Sequence, residues 1–180
     1  FGFSEISPTS LKRAAAIHPV TAIQNEYSLW TRYPDLGMIQ TCKELGTTFV
    51  PFSPLGRGIL SDTNLKPHNF SDTDFRKNQP RFLEPNFKRN MGIIHSFRTF
   101  CQERGWSTAA TAIAWTLDQG DHVIPIPGTR SEKNLKDFVT GSQITFDNSD
   151  REKINKILPP GWAHGDRYSD AQIIGVERYC

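Results

Sequence analysis

The sequence TFVPFSPLGRGIL, residues 48–60, has the pattern of a buried β-strand that continues into a glycine-containing loop. Its first residues are β-branched or aromatic and uncharged, which is typical of a strand inside a sheet. Pro54 and Gly56 end the strand, and Gly56 and Gly58 let the backbone approach a bound group closely. Arg57 adds a permanent positive charge to the loop. The pattern suits a phosphate-bearing ligand with a flat ring, and it also suits an ordinary turn after a strand.

Length and composition narrow the class of protein. The chain has 180 residues, enough for one sizeable core, so we predict a single domain over residues 1–180. A net charge of +2 gives no strongly basic field and therefore does not favour a nucleic-acid partner. Because no apolar run approaches about 18 residues, no membrane partner is expected.

The cysteines, histidines and first residues carry further expectations. Three cysteines, Cys42, Cys101 and Cys180, show no C-x-x-C spacing, which favours a reduced, cytoplasmic compartment over a disulfide framework. The five histidines have no metal-ligand spacing, so no metal site is predicted. The chain starts at Phe1 without a methionine or a signal peptide, and we expect Phe1 to be an internal position of a longer protein.

Hydrophobic periodicity and capping residues predict alternating strands and helices. The predicted strands cover residues 1–3, 20–26, 47–53 and 122–126. The predicted helices cover residues 8–17, 35–45, 86–104, 108–119, 132–139 and 149–158, with Ser7, Asn86, Ser107 and Ser131 as N-terminal caps. A long polar region, residues 54–85, separates the third strand from the third helix and is expected to be functional or mobile.

Strands that alternate with helix-length crossovers predict a parallel sheet. An open doubly wound sheet and part of a (β/α)₈ barrel both remain possible, although the first βα turn lacks G-x-G-x-x-G. The sequence IPGTRSEKN, residues 126–134, follows the fourth strand and opens a helix. Its glycine, hydroxyl, arginine and free helix N–H groups predict an anion site of the kind found after the last strands of barrels.

Four motifs together resemble the aldo-keto reductase family. They are GFSE at residues 2–5, QNEYSL at 24–29, PFSPLGRG at 51–58 and IPGTR at 126–130. Their order and spacing are similar to those of the C-terminal half of the family's domain, in the branch of perakine-reductase-like enzymes and potassium-channel β subunits. The resemblance implies an α/β fold, the C-terminal half of a (β/α)₈ TIM barrel, with four βα units of parallel strands plus extra helices. The first half of the domain would be absent from this sequence.

The resemblance also implies how an NADPH cofactor would be bound. Ser4 and Gln24 would hydrogen-bond the nicotinamide carboxamide, and Phe52 would stack on the nicotinamide ring. Glu5, also a predicted cofactor-binding residue, stands where many relatives have Asn. The pyrophosphate loop would comprise Ser53, Pro54, Leu55, Gly56, Arg57 and Gly58. The 2′-phosphate and adenine end would comprise Pro127, Gly128, Thr129, Arg130, Asn134 and Asp137. Arg81 would close over the cofactor, and Arg167 and Tyr168 would shape the substrate mouth.

Four of these residues also have a simpler interpretation. Gln24 could satisfy buried backbone groups, and Phe52 could be a core aromatic residue. Arg130 could be a solvated charge, and Glu5 a charge favoured at a helix start. Tyr27 is expected to be structural rather than catalytic.

The implied function is NADPH-dependent reduction of aldehydes or ketones to alcohols, with a small-molecule carbonyl substrate. The family's catalytic Asp, Tyr, Lys and His belong to motifs that lie before the point where this sequence begins. We therefore assign no catalytic residue in this chain. The alternative is a non-catalytic half-barrel that binds NADPH or a partner. Association with a missing N-terminal half, or self-association, is expected in either case.

Overall fold

A computed structural model describes residues 1–177, so Cys180 lies outside the described residues. Three short parallel strands form a sheet in the order β1 (Gly2–Ser4), β2 (Ala22–Gln24) and β3 (Thr48–Phe49). Residues 123–126 continue the sheet beyond β3 through two parallel bridges, Val123 with Phe49 and Ile126 with Phe52. The predicted α/β class with parallel strands is confirmed.

Within residues 1–177, the chain also forms six α-helices. They are α1 (Pro8–Ala15), α2 (Met38–Leu45), α3 (Asn86–Glu103), α4 (Thr108–Leu117), α5 (Glu132–Gly141) and α6 (Asn148–Ile157). The long polar region is built from short 3₁₀ turns at Gly56–Gly58, Pro67–Asn69, Phe75–Asn78 and Pro80–Phe82. Among the described helices, none is both long and apolar enough to cross a lipid bilayer.

The strands are shorter than the sequence predicts. The third predicted strand, residues 47–53, keeps regular pairing only at Thr48–Phe49, and the fourth is reduced to two bridges. Proline explains both differences, since Pro51 and Pro125 have no N–H group to donate to a ladder. Phe52 still bridges two neighbours, Glu26 and Ile126, so the chain keeps its direction past Pro51.

Two helix starts also differ from the prediction. Residues 35–45 do not form one helix, because a 3₁₀ turn at Tyr33–Leu36 ends at Gly37, whose φ of 123° is outside the helical range. Asn86 is the first residue of α3 rather than its cap, which is Pro85. The caps at Ser7 and Ser107 are confirmed, because each side chain accepts a backbone N–H three residues later.

One face of the sheet forms the core and the other is open. Ile23, Phe49 and Val123 are buried on the helix-covered face, with at most 3% of their surface exposed. Ser4 and Gln24 are exposed at the carboxyl ends of β1 and β2, where they pair in register. Helices therefore cover one side of the sheet, and the carboxyl ends of the strands lead into loops that carry the polar motifs.

Candidate functional site

A cleft of about 1030 Å³ lies between the loop after β3 and the segment that leads into α5. Phe52, Ser53 and Gly58 line it from one side, and Gly128 and Arg130 from the other. The two walls meet because Phe52 bridges Ile126 across neighbouring strands. Sequence positions some 70 residues apart thus converge where two parallel strands end, the usual position of ligand sites in parallel α/β folds.

The first wall has an unusual backbone. Ser53 and Arg57 adopt left-handed φ angles of 52° and 58°. Leu55, with φ -94° and ψ 13°, precedes Gly56, with φ 54°. This succession forms a tight turn, in which the Gly56 N–H donates to the Ser53 carbonyl at 2.9 Å and the Gly58 N–H donates to the Leu55 carbonyl at 3.0 Å. Gly56 cannot carry a side chain here, because an added Cβ would lie 2.9 Å from Cε3 of Trp30.

The second wall presents a helix N-terminus. The Ser131 side chain makes no capping hydrogen bond to α5, so the first-turn N–H groups of that helix are left to other acceptors. The Thr129 hydroxyl instead accepts the N–H of Ser131, at 3.0 Å. Arg130, Lys133 and Asn134 are exposed along this edge. Dipole and side-chain charge therefore both favour an anion here.

The charge balance of the cleft is positive. Arg57, Arg76, Arg130 and Lys133 line it, against the carboxylates of Asp62 and Asp137. Asp62 is bonded to α4, where it accepts the Thr108 N–H at 3.2 Å and the Thr108 hydroxyl. Arg76 pairs with Asp74 at 2.6 Å. These pairings leave Arg130 and Lys133 as the most exposed cations of the cleft.

The structure brings most of the sequence-predicted site residues together in this cleft. Those that line it are Phe52, Ser53, Pro54, Leu55, Arg57, Gly58, Pro127, Gly128, Arg130, Asn134 and Asp137. Gly56 is buried behind the loop against Trp30, and Thr129 is occupied with Ser131. Phe138, adjacent to Asp137, packs with Ala109 and Ile113 in a small cluster between α4 and α5.

The remaining predicted site residues lie elsewhere. Ser4 and Gln24 are neighbours at the ends of β1 and β2. Arg81 is buried, and its guanidinium donates to the carbonyl of Trp30 and the hydroxyl of Thr31, both at 2.8 Å. Burial lowers the pKa of Arg81 to about 10. In this structure the side chain is part of the interior and does not cover the cleft.

The charged groups of Glu5 and Arg57 are bonded to other residues of the protein and are not free in the cleft. Arg57 Nη2 lies 2.6 Å from Oε2 of Glu26, and Nη1 donates to the carbonyl of Arg167 at 2.9 Å. Glu5 forms an ion pair with Arg167, and its Oε1 accepts the N–H of Glu26 at 2.6 Å. The Arg57 side chain therefore supports the cleft from behind rather than offering it a free cation.

A second cavity, of about 370 Å³, lies under the C-terminal tail. Glu5, Tyr33, Arg167 and Tyr168 are among its lining residues. Tyr168 stacks with Arg57, whose guanidinium carbon lies 4.7 Å from the ring centroid. Burial raises the pKa of Tyr168 to about 12. Arg57 thus separates the tail cavity from the cleft.

Sequence reasoning named Arg57 and Arg167 but missed Glu26, the carboxylate that links these two cavities. Glu26 is only 2% exposed and lies in a stretch of buried residues, and a buried carboxylate requires a cationic partner. That requirement was the one sign in the sequence that Glu26 has charged partners. The partners, Arg57 and Arg167, come from distant parts of the chain, so the sequence did not identify them as its partners. Arg76 and Lys133 in the cleft were also missed, although Lys133 lies only three residues after the predicted Arg130.

Sequence comparison identifies relatives of this chain. The Aldo/keto reductase family profile matches residues 1–159. A probable aldo-keto reductase 1 from Glycine max is 38% identical over 167 residues, which cover 93% of this chain and 48% of that protein. The aldo-keto reductase yakc of Schizosaccharomyces pombe, whose name specifies NADP(+), is 32% identical over 170 residues, covering 93% and 50%.

Solved structures give the same result. The glycerol dehydrogenase AKR11B4 from Gluconobacter oxydans superposes with a TM-score of 0.79 at 25% identity, over 87% of this chain and 48% of that one. A thermostable aldo-keto reductase solved with the inhibitor epalrestat shares the fold, with a TM-score of 0.62 at 18% identity, over 87% and 47%. The chain spans about half the length of the relatives that it matches. On the profile match and these similarities, the chain belongs to the aldo/keto reductase family.

Proposed function

We propose that this chain is the C-terminal half of a (β/α)₈ barrel that reduces aldehydes or ketones with NADPH, and that it supplies most of the cofactor site. The observation that carries the proposal is the single cleft between Phe52–Gly58 and Pro127–Asn134, with a ring at one end and exposed cations at the other. When bound, NADPH would supply a hydride. The NADP(+) in the name of the S. pombe relative supports this choice of cofactor.

The residues of the cleft fit three parts of NADPH, which are the nicotinamide ring, the pyrophosphate and the 2′-phosphate. The half-buried Phe52 ring offers a flat apolar surface for the nicotinamide. The loop at Ser53, Leu55 and Gly58, where a glycine lets the backbone approach a ligand closely, suits a pyrophosphate. Arg130, beside the free N–H groups that open α5, suits a 2′-phosphate, because a guanidinium can donate two hydrogen bonds to one phosphate.

Ser4 and Gln24 complete the proposed binding mode at the nicotinamide end. They lie side by side at the strand ends, and their exposed polar groups can accept and donate hydrogen bonds to a carboxamide. Their role is to fix which face of the ring meets the substrate. The proton that a carbonyl oxygen takes up comes from outside these 180 residues in our proposal, since no residue here matches the family's catalytic motifs.

A cytoplasmic location is part of the proposal. Cys42 and Cys101 are buried free thiols, each more than 50 residues from the other in sequence. Burial raises the pKa of the Cys42 thiol to about 12 and that of Cys101 to about 11, so neither is a reactive thiolate. Unpaired cysteines of this kind are typical of reducing compartments.

The cofactor site is tested by titrating NADPH and NADH into the purified protein while following tryptophan fluorescence. We expect saturable binding of both, with NADPH the tighter ligand. The absence of binding, or equal affinities for the two cofactors, would reject the assignment of the 2′-phosphate end. Consumption of NADPH with an aromatic aldehyde by the product of the complete reading frame tests the reductase activity.

A second candidate function is a non-catalytic half-barrel that binds NADPH or a partner. The 55% exposure of Ile124 favours it, because this large apolar residue on the fourth strand segment lies outside the cleft lining. Cofactor binding without turnover by the complete gene product would select this second function over the first.

A further inference from the structure

A buried carboxylate, Glu26, stands between the cleft and the C-terminal tail. Its Oε2 accepts Nη2 of Arg57 at 2.6 Å and Nη1 of Arg167 at 3.2 Å. Its Oε1 accepts the hydroxyl of Thr31 at 3.0 Å, and the same hydroxyl accepts Nη1 of Arg81 at 2.8 Å. One side chain therefore receives hydrogen bonds from the loop after β3, the loop after β2 and the tail.

The second carboxylate, Glu5, closes the cluster. It pairs with Nη2 of Arg167, while its Oε1 accepts the backbone N–H of Glu26 at 2.6 Å. Two carboxylates and two guanidiniums thus alternate, and each side chain is 11% exposed or less. Removing one charge from such a buried cluster leaves its partners unpaired, which is far more costly than the loss of a surface pair.

The cluster sets the position of the cleft wall. Arg57 belongs to the Gly56–Gly58 turn that lines the cleft, and its backbone carbonyl accepts Nη1 of Arg76 at 3.2 Å. Its guanidinium lies against the rings of Phe75 and Tyr168, 5.5 and 4.7 Å from their centroids, and these two rings also contact each other edge to face. The wall cannot move away from the tail without breaking the bond of Arg57 to the Arg167 carbonyl, and it cannot move away from the loop after β2 without breaking the bond of Arg57 to Glu26.

We propose that Glu26 is a positioning residue that holds the cleft loop at Arg57 and the tail at Arg167 in place together, so that release of either loosens the other. The proposed effect of bound cofactor on the tail rests on the proposed function. The coupling between the cleft loop and the tail does not. Cofactor in the cleft would stabilise the loop and, through Glu26, keep the tail closed over its cavity.

Limited trypsin digestion tests the coupling, because trypsin must take the arginine side chain out of the cluster. The variant Glu26→Gln keeps the side-chain volume and loses the charge, and we expect cleavage after both Arg57 and Arg167 to rise at least about tenfold. Arg167→Gln, altered only in the tail, should raise cleavage after Arg57 severalfold. Unchanged cleavage after Arg57 in Arg167→Gln would overturn the coupling.

Two controls separate coupling from general loosening. Glu177→Gln alters another tail contact, where the Glu177 carboxylate accepts the N–H and hydroxyl of Ser7, and should leave cleavage after Arg57 as in the parent. Cleavage after Arg98, in the middle of α3, reports global unfolding. If Glu26→Gln raises cleavage after Arg98 equally, the variant is unfolded and Arg167→Gln decides the question.

Digestion in the presence of NADPH tests whether cofactor bound in the cleft also protects the tail. We expect saturating NADPH to slow cleavage after Arg167 in the parent protein and to have little effect in Glu26→Gln. Binding of NADPH without any protection of Arg167 would contradict a link between cleft and tail. If the parent protein does not bind NADPH, the proposed function fails, while the digestion of the variants without cofactor still tests the coupling.

Discussion

Arg130 carries the proposed preference for NADPH. It is exposed at the edge of the cleft and lies two residues before α5 begins. Replacing Arg130 with Ala should weaken NADPH binding by about 1.5–3 kcal/mol, as expected for a charge-assisted hydrogen bond, and leave NADH nearly unchanged. Titration of both cofactors against both proteins measures the difference.

A matched variant removes the same charge a short distance away. Lys136 is exposed on α5, pairs with Glu132 at 2.8 Å and does not line the cleft. Lys136→Ala should therefore bind both cofactors as the parent does. An equal loss of NADPH affinity in the two variants would mean that Arg130 contributes only to a general positive field.

Phe52 should act at the other end of the cofactor. If its ring stacks on the nicotinamide, Phe52→Ala should weaken NADPH binding by about 0.5–1.5 kcal/mol beyond the lost buried area, and Phe52→Tyr should retain most of the affinity. Binding of 2′,5′-ADP, which lacks the nicotinamide, should change little. A parallel loss of 2′,5′-ADP binding would identify Phe52 as a residue that supports the loop.

The sequence predicted which residues line the cleft better than it predicted the directions of their side chains. Glycines, prolines and a helix start restrict the backbone locally, so the two loops could be predicted from motifs. The direction of a long charged side chain depends on partners elsewhere. Arg57 turns to Glu26 and to the tail, 110 residues away, and Arg81 turns inward to Trp30. Neither contact leaves a periodic pattern in the sequence.

Packing between α4 and α5 requires a glycine. An added Cβ at Gly141 would lie 2.7 Å from the carbonyl oxygen of Ala110 and 3.0 Å from Cβ of Ile113. Gly141→Ala should therefore lower the free energy of unfolding by about 1–3 kcal/mol, because the helices must separate. Urea denaturation measures the change.

Gly92, within α3, is the matched control. Nothing lies within 4 Å of the position that its Cβ would occupy, and its backbone is helical. Gly92→Ala should raise the free energy of unfolding by about 0.5–1 kcal/mol, since alanine loses less backbone freedom in a helix. The two substitutions are chemically identical, so opposite signs would attribute the loss at Gly141 to helix contact.

The elements that were predicted well are those with local capping and periodicity. The helices after Ser7 and Ser107 begin where their caps indicate, and α6 begins within one residue of its predicted start. The strands were overestimated, because a run of apolar residues around Pro51 or Pro125 looks continuous although the proline interrupts the ladder. Hydrogen-bond pairing depends on the neighbouring strand, which no single segment specifies.

At the level of the whole chain, the sheet has two outer edges. Among the described residues, β1 pairs only with β2, and residues 123–126 pair only with the β3 segment. Such edges present unpaired N–H and C=O groups that can add another strand. Phe3 and Ile124, on the two outer segments, are 38% and 55% exposed. These features suit a sheet that continues into further strands.

A polypeptide limited to these 180 residues should therefore self-associate and show no carbonyl reduction. A TIM barrel typically takes about 250 residues and closes its sheet with eight strands, whereas this chain spans about half of its relatives. A missing proton donor alone would lower the rate by about 10²–10⁴-fold. Sedimentation velocity, together with an assay of NADPH and an aromatic aldehyde, measures both properties.

A charge placed on the open sheet tests the cause of the association. Ile124→Lys, at 55% exposure on the fourth strand segment, should reduce self-association, because a lysine ammonium resists burial in a strand-to-strand contact. Ile174→Lys, at 84% exposure in the tail, introduces the same charge away from the sheet and should leave the sedimentation profile unchanged. If the parent chain sediments as a monomer and turns over substrate at an ordinary rate, then these residues form a complete enzyme and the half-barrel assignment is wrong.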